Sequence, residues 1–332
     1  AGRLPSSLLF YGPVGVGKAT LARKLAAAQL GDEQTIERDD LSRPENQALL
    51  AERDKLSSTQ RAEEPLVISS HPDFLTFPPD GPLRQITIQQ MRLLKEQAQL
   101  APMRGRHRIF LVDQADRANE QAANSLLKVL EEPPPHLTLI LTAENYFELL
   151  PTIRSRVVAF YLAPLSDEEV RAFAEARGLD QIDRRTALAA GCPGRAVTLD
   201  LAVYDQQRET MLAWLEVASG ARPFTHWARY AEQLSGSRAD RLEPYLEVLH
   251  GLLEDVLWIQ TTGTAHRNHD IVAVLTAVAE RVDISWLHRA LNRLGELERY
   301  LRRNIQKSIG LDALVVELRR YAQDSVRHRV RV

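Results

Sequence analysis

A chain of 332 residues exceeds one typical domain, and 44% hydrophobic with 26% charged residues is the composition of a globular protein, so two or three domains are expected. The formal net charge of −2 gives no global basic signature, so any nucleic-acid contact must come from a local patch or from partners. Cys192 is the only cysteine, which excludes an internal disulfide framework and a multi-cysteine zinc site, and no apolar run reaches transmembrane length, so a reducing cytoplasm and no membrane partner are expected.

The chain opens on AGRLPSSLLFYGP, without a methionine and almost directly into a strand, so native residues are expected to precede it. SLLFY (Ser7 to Tyr11) reads as a strand running into a glycine-rich loop, and ATLARKLAAAQL as a helix ending near Gly31. The stretch from Gly31 to Glu64 is highly charged and weakly periodic, a helical excursion or mobile insertion in which ENQALLAERDKL could form a short amphipathic helix. PLVISS before His71, RIFLV (Arg108 to Val112), LTLILT (Leu137 to Thr142) and VVAFYL (Val157 to Leu162) are four further buried strands. Their apolar runs are continuous rather than alternating, which suits a parallel sheet covered on both faces. The helix ITIQQMRLLKEQAQLAPM opens on a capping box of Thr87 with Gln90, and ANEQAANSLLKVLEEPPP is a helix stopped by Pro133 to Pro135.

After Pro164 the strands stop. SDEEVRAFAEARG opens on a second capping box, Ser166 with Glu169, and DQIDRRTALAAG and PGRAVTLDLAV read as two further short helices. From Tyr204 onward the pattern is helical, with breaks at Gly220 to Pro223, Gly236 to Asp240, Thr261 to Asn268 and Arg281 to Ser285. The expected organisation is an α/β core over 1–164 with a parallel five-stranded sheet, a small helical domain over 165–203 and an all-helical domain over 204–332.

The spacing Gly12-x4-Gly17-Lys18, between a strand and a helix, is the context a phosphate-binding loop requires. Gly12, Gly15 and Gly17 let backbone N–H groups converge on phosphate oxygens, and Lys18 supplies a point charge. The next residue normally offers Mg²⁺ a hydroxyl, and Ala19 has none; Thr20 lies about 100° further round the helix and is no simple substitute. The bland alternative is a glycine-rich strand-to-helix turn without a ligand. In RIFLVDQAD, Asp113 stands where a metal-supporting carboxylate belongs, while Gln114 occupies the place of a catalytic glutamate and cannot accept a proton from an attacking water at neutral pH. Asp116 could serve as a substitute base or as a helix N-terminal carboxylate. Two losses at one centre argue against efficient hydrolysis.

The motifs HPDF, ITIQQMRLL, RIFLVDQADRANEQAANSLLKVLEEPPP, LLPTIRSRV and GCPGRAV, in this order, resemble the bacterial DNA polymerase III clamp-loader subunits, members of the AAA+ superfamily. The resemblance runs motif by motif from Gly2 to Val203; beyond, only the helical character and NIQKSIGLDALVVEL are similar. It implies an AAA+ P-loop core, a helical lid and a C-terminal collar through which five subunits form a gapped ring that opens a sliding clamp and places it on primer-template DNA. It also implies gamma/tau and delta subunits as partners, and ATP or ADP as the nucleotide of the phosphate loop. Arg156 in the Ser-Arg-Val run matches the arginine finger that reaches into a neighbouring subunit's nucleotide site. Arg195 in GCPGRA matches the lid residue called sensor 2, and Thr142 is the candidate for sensor 1.

Departures refine this. Many relatives carry a four-cysteine zinc module after the phosphate-loop helix, and Gly31 to Glu64 contains no cysteine, so no zinc is expected. Val157 stands where the finger motif usually has a cysteine. Ala19 and Gln114 favour a non-hydrolysing, delta-prime-like member with little role for Mg²⁺ over a gamma/tau-like motor ATPase with a degenerate site. A small-molecule P-loop kinase is a third reading, in which the Ser-Arg motif and the helical tail have no role. MRGRHR is the densest basic run of the core; Arg104, Arg106 and Arg108 could face DNA phosphate, or form a solvated turn. The four tryptophans all fall after residue 204, where core or subunit packing is expected.

Overall fold

The computed structural model describes residues 4–236, 242–301 and 307–329. Contacts divide the chain into two compact units, 1–173 with 191–195, and 174–190 with 196–332.

The first unit is built on a six-stranded sheet in the order β2-β3-β4-β5-β1-β6. Its strands are β1 (Ser7–Tyr11), β2 (Ile68–His71), β3 (Phe74–Phe77), β4 (Arg108–Val112), β5 (Leu137–Ala143) and β6 (Val158–Tyr161). β1 pairs in parallel with β5 and β6, and β4 in parallel with β3 and β5, whereas β2 runs antiparallel to β3. This corrects the expected five-stranded sheet. Five strands are parallel, but one of them is β3, and the strand expected before His71 is an antiparallel edge joined to β3 by the short turn at Pro72 and Asp73. The expectation that Val157 to Leu162 is buried also fails: every residue of β6 is exposed. An edge strand contacts only one neighbour, and an apolar run does not by itself distinguish an edge from an interior.

α1 (Lys18–Leu30) covers one face, where Ala22 and Ala26 let it approach Leu8, Phe10, Ile109 and Ile140 closely. The insertion that follows is ordered as α2 (Glu33–Ile36), α3 (Pro44–Lys55) and α4 (Ser58–Glu63). α3 packs little apolar surface, so charge closes the insertion: Arg53 Nε and Nη2 donate to Asp80 at 3.1 and 2.6 Å, and Arg53 Nη1 donates to the Glu64 carbonyl at 2.8 Å. α5 (Ile88–Ala98) and α6 (Glu120–Glu131) cover the other face, with Met91, Leu94, Ala122, Leu126 and Leu130 packed on Leu9, Phe110, Leu139 and Leu141. α5 starts with the expected capping box of Thr87 and Gln90. The short α7 (Pro151–Arg154) leads into β6.

α8 (Asp167–Ala176), α9 (Ile182–Ala189) and α10 (Pro193–Thr198) follow, and the Ser166–Glu169 box at the head of α8 forms in both directions. α11 (Leu201–Ala218) opens on Asp200, whose carboxylate accepts the N–H groups of Ala202 and Val203, so the boundary expected at 203/204 falls inside this helix. The remaining helices are α12 (Phe224–Gly236), α13 (Glu243–Thr262), α14 (Val272–Ala279), α15 (Ile284–Leu301) and α16 (Lys307–Arg329). Most of the expected break at Gly236 to Asp240 lies outside the described residues, as do Asn304 to Gln306 of the NIQKSIG motif. Trp214, Trp227 and Trp286 are core residues of this second unit, and Trp258 is exposed. Among the described residues no helix is long and apolar enough to cross a membrane.

Candidate functional site

The parallel strands end together at one edge of the sheet, where ligands of open α/β sheets bind. β1 ends there between β5 and β6, and its loop starts with the Gly12 N–H donating to the Ala143 carbonyl at 3.2 Å. A Cβ on Gly12 would stand 2.3 Å from the Leu162 carbonyl oxygen, so only glycine lets the loop pass β6. Gly17 closes the loop with a left-handed backbone, φ +107°, and starts α1 without a side-chain cap. A Cβ there would meet no atom within 4 Å, so the space beside Gly17 is open.

Lys18 is turned onto its own loop, donating to the carbonyls of Gly12 at 2.7 Å and Pro13 at 2.8 Å. Burial lowers its pKa, against the opposite pull of Glu144, Asp113 and Asp116. Ala19 packs its methyl against the core under α1, and Thr20 is exposed.

At the ends of β4 and β5, Thr142 is a hub. Its hydroxyl donates to Asp113 Oδ1 at 2.5 Å and accepts the Gln114 N–H at 2.8 Å. Gln114 adopts a left-handed backbone, φ 54° and ψ 55°, uncommon for a residue with a Cβ. Burial raises the Asp113 pKa, against the Thr142 hydrogen bond and the charge of Lys18. Because the folded chain then holds this proton more tightly than the unfolded chain, the contribution of this group to stability is fully present below the ordinary value of 3.8 and is lost as pH rises through the folded value. Asp113→Asn is therefore expected to raise the melting temperature at pH 7, with the gain shrinking as pH falls toward 4; thermal unfolding of both proteins across that range checks it. Asp116 lies in the first turn of the short 3-10 helix Ala115–Arg117, as a helix N-terminal carboxylate, and one of its oxygens accepts the N–H groups of Glu144 and Asn145 at 2.8 and 3.3 Å, fixing the turn after β5.

The GCPGRA turn comes directly onto the loop. The Gly194 N–H donates to the Gly15 carbonyl at 2.8 Å, and a Cβ on Gly194 would stand 2.8 Å from that same oxygen. Arg195 Cγ lies 2.9 Å from the place a Cβ on Gly15 would take, which sets the arginine's stem against the phosphate loop. Gly15, Gly17, Lys18, Asp113, Gln114, Thr142 and Arg195 are thus gathered along one edge of the first unit. Glu144 and the Gly15–Gly194 contact were missed in the sequence. Glu144 had a signal, its position just past a strand that ends at this edge; the glycine contact is a tertiary approach with no local pattern.

Arg156 lies just beyond α7, with Nη1 donating to the Thr152 carbonyl at 2.9 Å and Nη2 paired with Glu131 at 2.9 Å. About a third of its side chain is exposed, 35%. In the basic turn, Asp73 accepts the N–H groups of Met103 and Arg104, both at 2.7 Å. Burial would raise this carboxyl, but those N–H groups together with that of Gly105 hold it below the usual range. Arg104 and Arg106 are exposed, whereas Arg108 is buried, donates to the Gln97 carbonyl and stacks over Phe110 at 5.0 Å. Arg108 is therefore a structural residue rather than part of an exposed basic surface.

A mostly parallel sheet carrying a phosphate loop after its first strand, an acidic strand end beside it and a helical turn docked on the loop defines an α/β core of phosphate-loop type. A family model described as "DNA polymerase III, delta subunit" matches residues 1–166, and one described as "DNA polymerase III, delta subunit, C terminal" matches residues 204–318. The chain belongs to this family of DNA polymerase III clamp-loader subunits. It is 26% identical over 262 residues to DNA polymerase III subunit delta′ of Escherichia coli, covering 77% of each chain. It is 34% identical over 151 residues to the delta′ subunit of Pseudomonas aeruginosa, covering 45% of this chain and 40% of that one. With subunit gamma/tau of Mycobacterium tuberculosis it shares 30% identity over 198 residues, 59% of this chain, and spans only 30% of that relative's length.

Proposed function

We propose that the chain is a delta-prime-like clamp-loader subunit that does not hydrolyse ATP itself and supplies Arg156 in trans to a neighbour's nucleotide. In this role it acts in the cytoplasm, assembles with gamma/tau and delta subunits, and helps load the sliding clamp onto primer-template DNA. The observation that carries the reading is the state of the metal-supporting centre: Ala19 has no hydroxyl, and the Asp113 carboxylate is engaged by Thr142 in a buried hydrogen bond. That donor set does not fit Mg²⁺. The loop does fit phosphate: α1 starts at Gly17 without a side-chain cap and the space beside that glycine is open, so Gly15, Gly17 and Lys18 would hold the phosphates of ATP or ADP once Lys18 leaves the carbonyls of Gly12 and Pro13. The domain scheme of core, lid and collar belongs to the same reading, with residues 204–332 as the assembling element.

The test is co-purification with gamma-type and delta subunits. A stable complex containing this chain is expected, and failure to assemble with any gamma-type subunit would sink the reading. Arg104 and Arg106, exposed in one turn, are the residues through which direct DNA contact would be sought. Their joint replacement by alanine should then weaken DNA binding by the complex equally across sequences and flatten its salt dependence.

A further inference from the structure

α6 ends on Glu131, and the carbonyl end of a helix disfavours a carboxylate. The charge is offset from outside the helix: Arg156 Nη2 sits 2.9 Å from Glu131 Oε1, and the two side chains are 35% and 48% exposed. Nη1 of the same guanidinium donates to the Thr152 carbonyl at 2.9 Å and to Ser155 Oγ at 3.2 Å. Both terminal nitrogens of Arg156 are thus engaged within its own chain. A guanidinium acts on phosphate through its charge and through those same N–H donors. The carboxylate 2.9 Å from Nη2 offsets the first, and the contacts of Nη1 draw on the second.

We infer that Glu131 is the positioning residue of Arg156, holding the guanidinium against the end of α6 until the γ-phosphate of a neighbour's nucleoside triphosphate competes for it. The inference rests on the trans-acting role proposed above. A half-exposed ion pair is weak, so this restraint yields readily, and its removal should change engagement by about fivefold or less.

Two measurements on the full chain test this. In the isolated protein, NMR of the Arg156 Nε–H resonance, assigned by its loss in Arg156→Ala, reports rotation of the guanidinium. That rotation is expected to be slow in the wild type and faster in Glu131→Gln; equal rates would overturn the inference without touching the trans role. In a complex with a gamma-type subunit, Glu131→Gln should lower the KM for ATP by about two- to fivefold, the effect falling on KM rather than kcat. A raised KM or a lowered kcat would mean that Glu131 assists the engaged arginine, and would overturn the inference. If Arg156→Ala leaves turnover of the complex intact, the trans role itself fails and the inference falls with it, whatever the NMR shows.

Discussion

If Arg156 acts in trans as proposed, its replacement with alanine lowers ATP turnover of the assembled complex by about 10³-fold or more, while the unfolding free energy of the isolated chain moves by no more than about 0.5 kcal/mol. The two halves of that expectation have separate causes. A guanidinium directed at a γ-phosphate stabilises charge that develops in the transition state, so its loss falls on the rate. Within its own chain Arg156 makes a half-exposed ion pair with Glu131 and two hydrogen bonds in its own short helical turn, interactions that contribute little to stability. Steady-state turnover of the assembled complex, with urea unfolding of the isolated variant beside it, checks both. A large loss of stability would make the rate effect uninterpretable as loss of an arginine finger.

The second large effect concerns stability. Arg53→Ala should destabilise the first unit by about 3–5 kcal/mol, because Asp80 would be left as an uncompensated buried carboxylate. The Arg53 and Asp80 side chains are 8% and 1% exposed, and the pair is bidentate. Arg53 also satisfies the Glu64 carbonyl, so a single substitution orphans a charge and a backbone acceptor together. Removing both charges with Arg53→Met and Asp80→Leu should recover much of the loss, since the desolvation cost disappears with the attraction. Urea denaturation of the single and double variants separates these outcomes. Equal destabilisation in both would show that the pair acts through packing rather than charge.

Local signals in the sequence were reliable where local physics decides the outcome. The capping boxes at Thr87 and Ser166 form as their spacing indicates, and the central strands β1, β4 and β5 follow the continuous apolar runs. β3 escaped notice because FLTF is only four residues long and sits directly behind the HPD turn. β2 is irregular, its register shifting between Ile68 and His71, and neither its direction nor its edge position is written in its composition. The insertion after α1 looked weakly periodic because Arg53 and Asp80, 27 positions apart, do much of the work that an apolar stripe would do.

The site was legible to a similar depth. Gly12, Lys18 and Asp113 are readable from their places at strand ends, whereas Arg156 is marked by the family resemblance alone and its role stays a proposal. The engagement of Asp113 by Thr142, the docking of Gly194 on Gly15 and the pairing of Glu131 with Arg156 each join segments far apart in the chain, so no window of the sequence contains them. Arg108 shows the converse error: three arginines in one run looked equivalent, yet the one that begins β4 belongs to an interior strand buried at every position, between β3 and β5.

The central claim is that a phosphate loop survives here without a hydrolytic centre. It is tested most directly by steady-state ATP turnover of the purified chain alone, with Mg²⁺ and with Lys18→Ala as the control. Turnover at background level, unchanged by Lys18→Ala, is the predicted result; robust Mg²⁺-dependent hydrolysis that Lys18→Ala abolishes would contradict it.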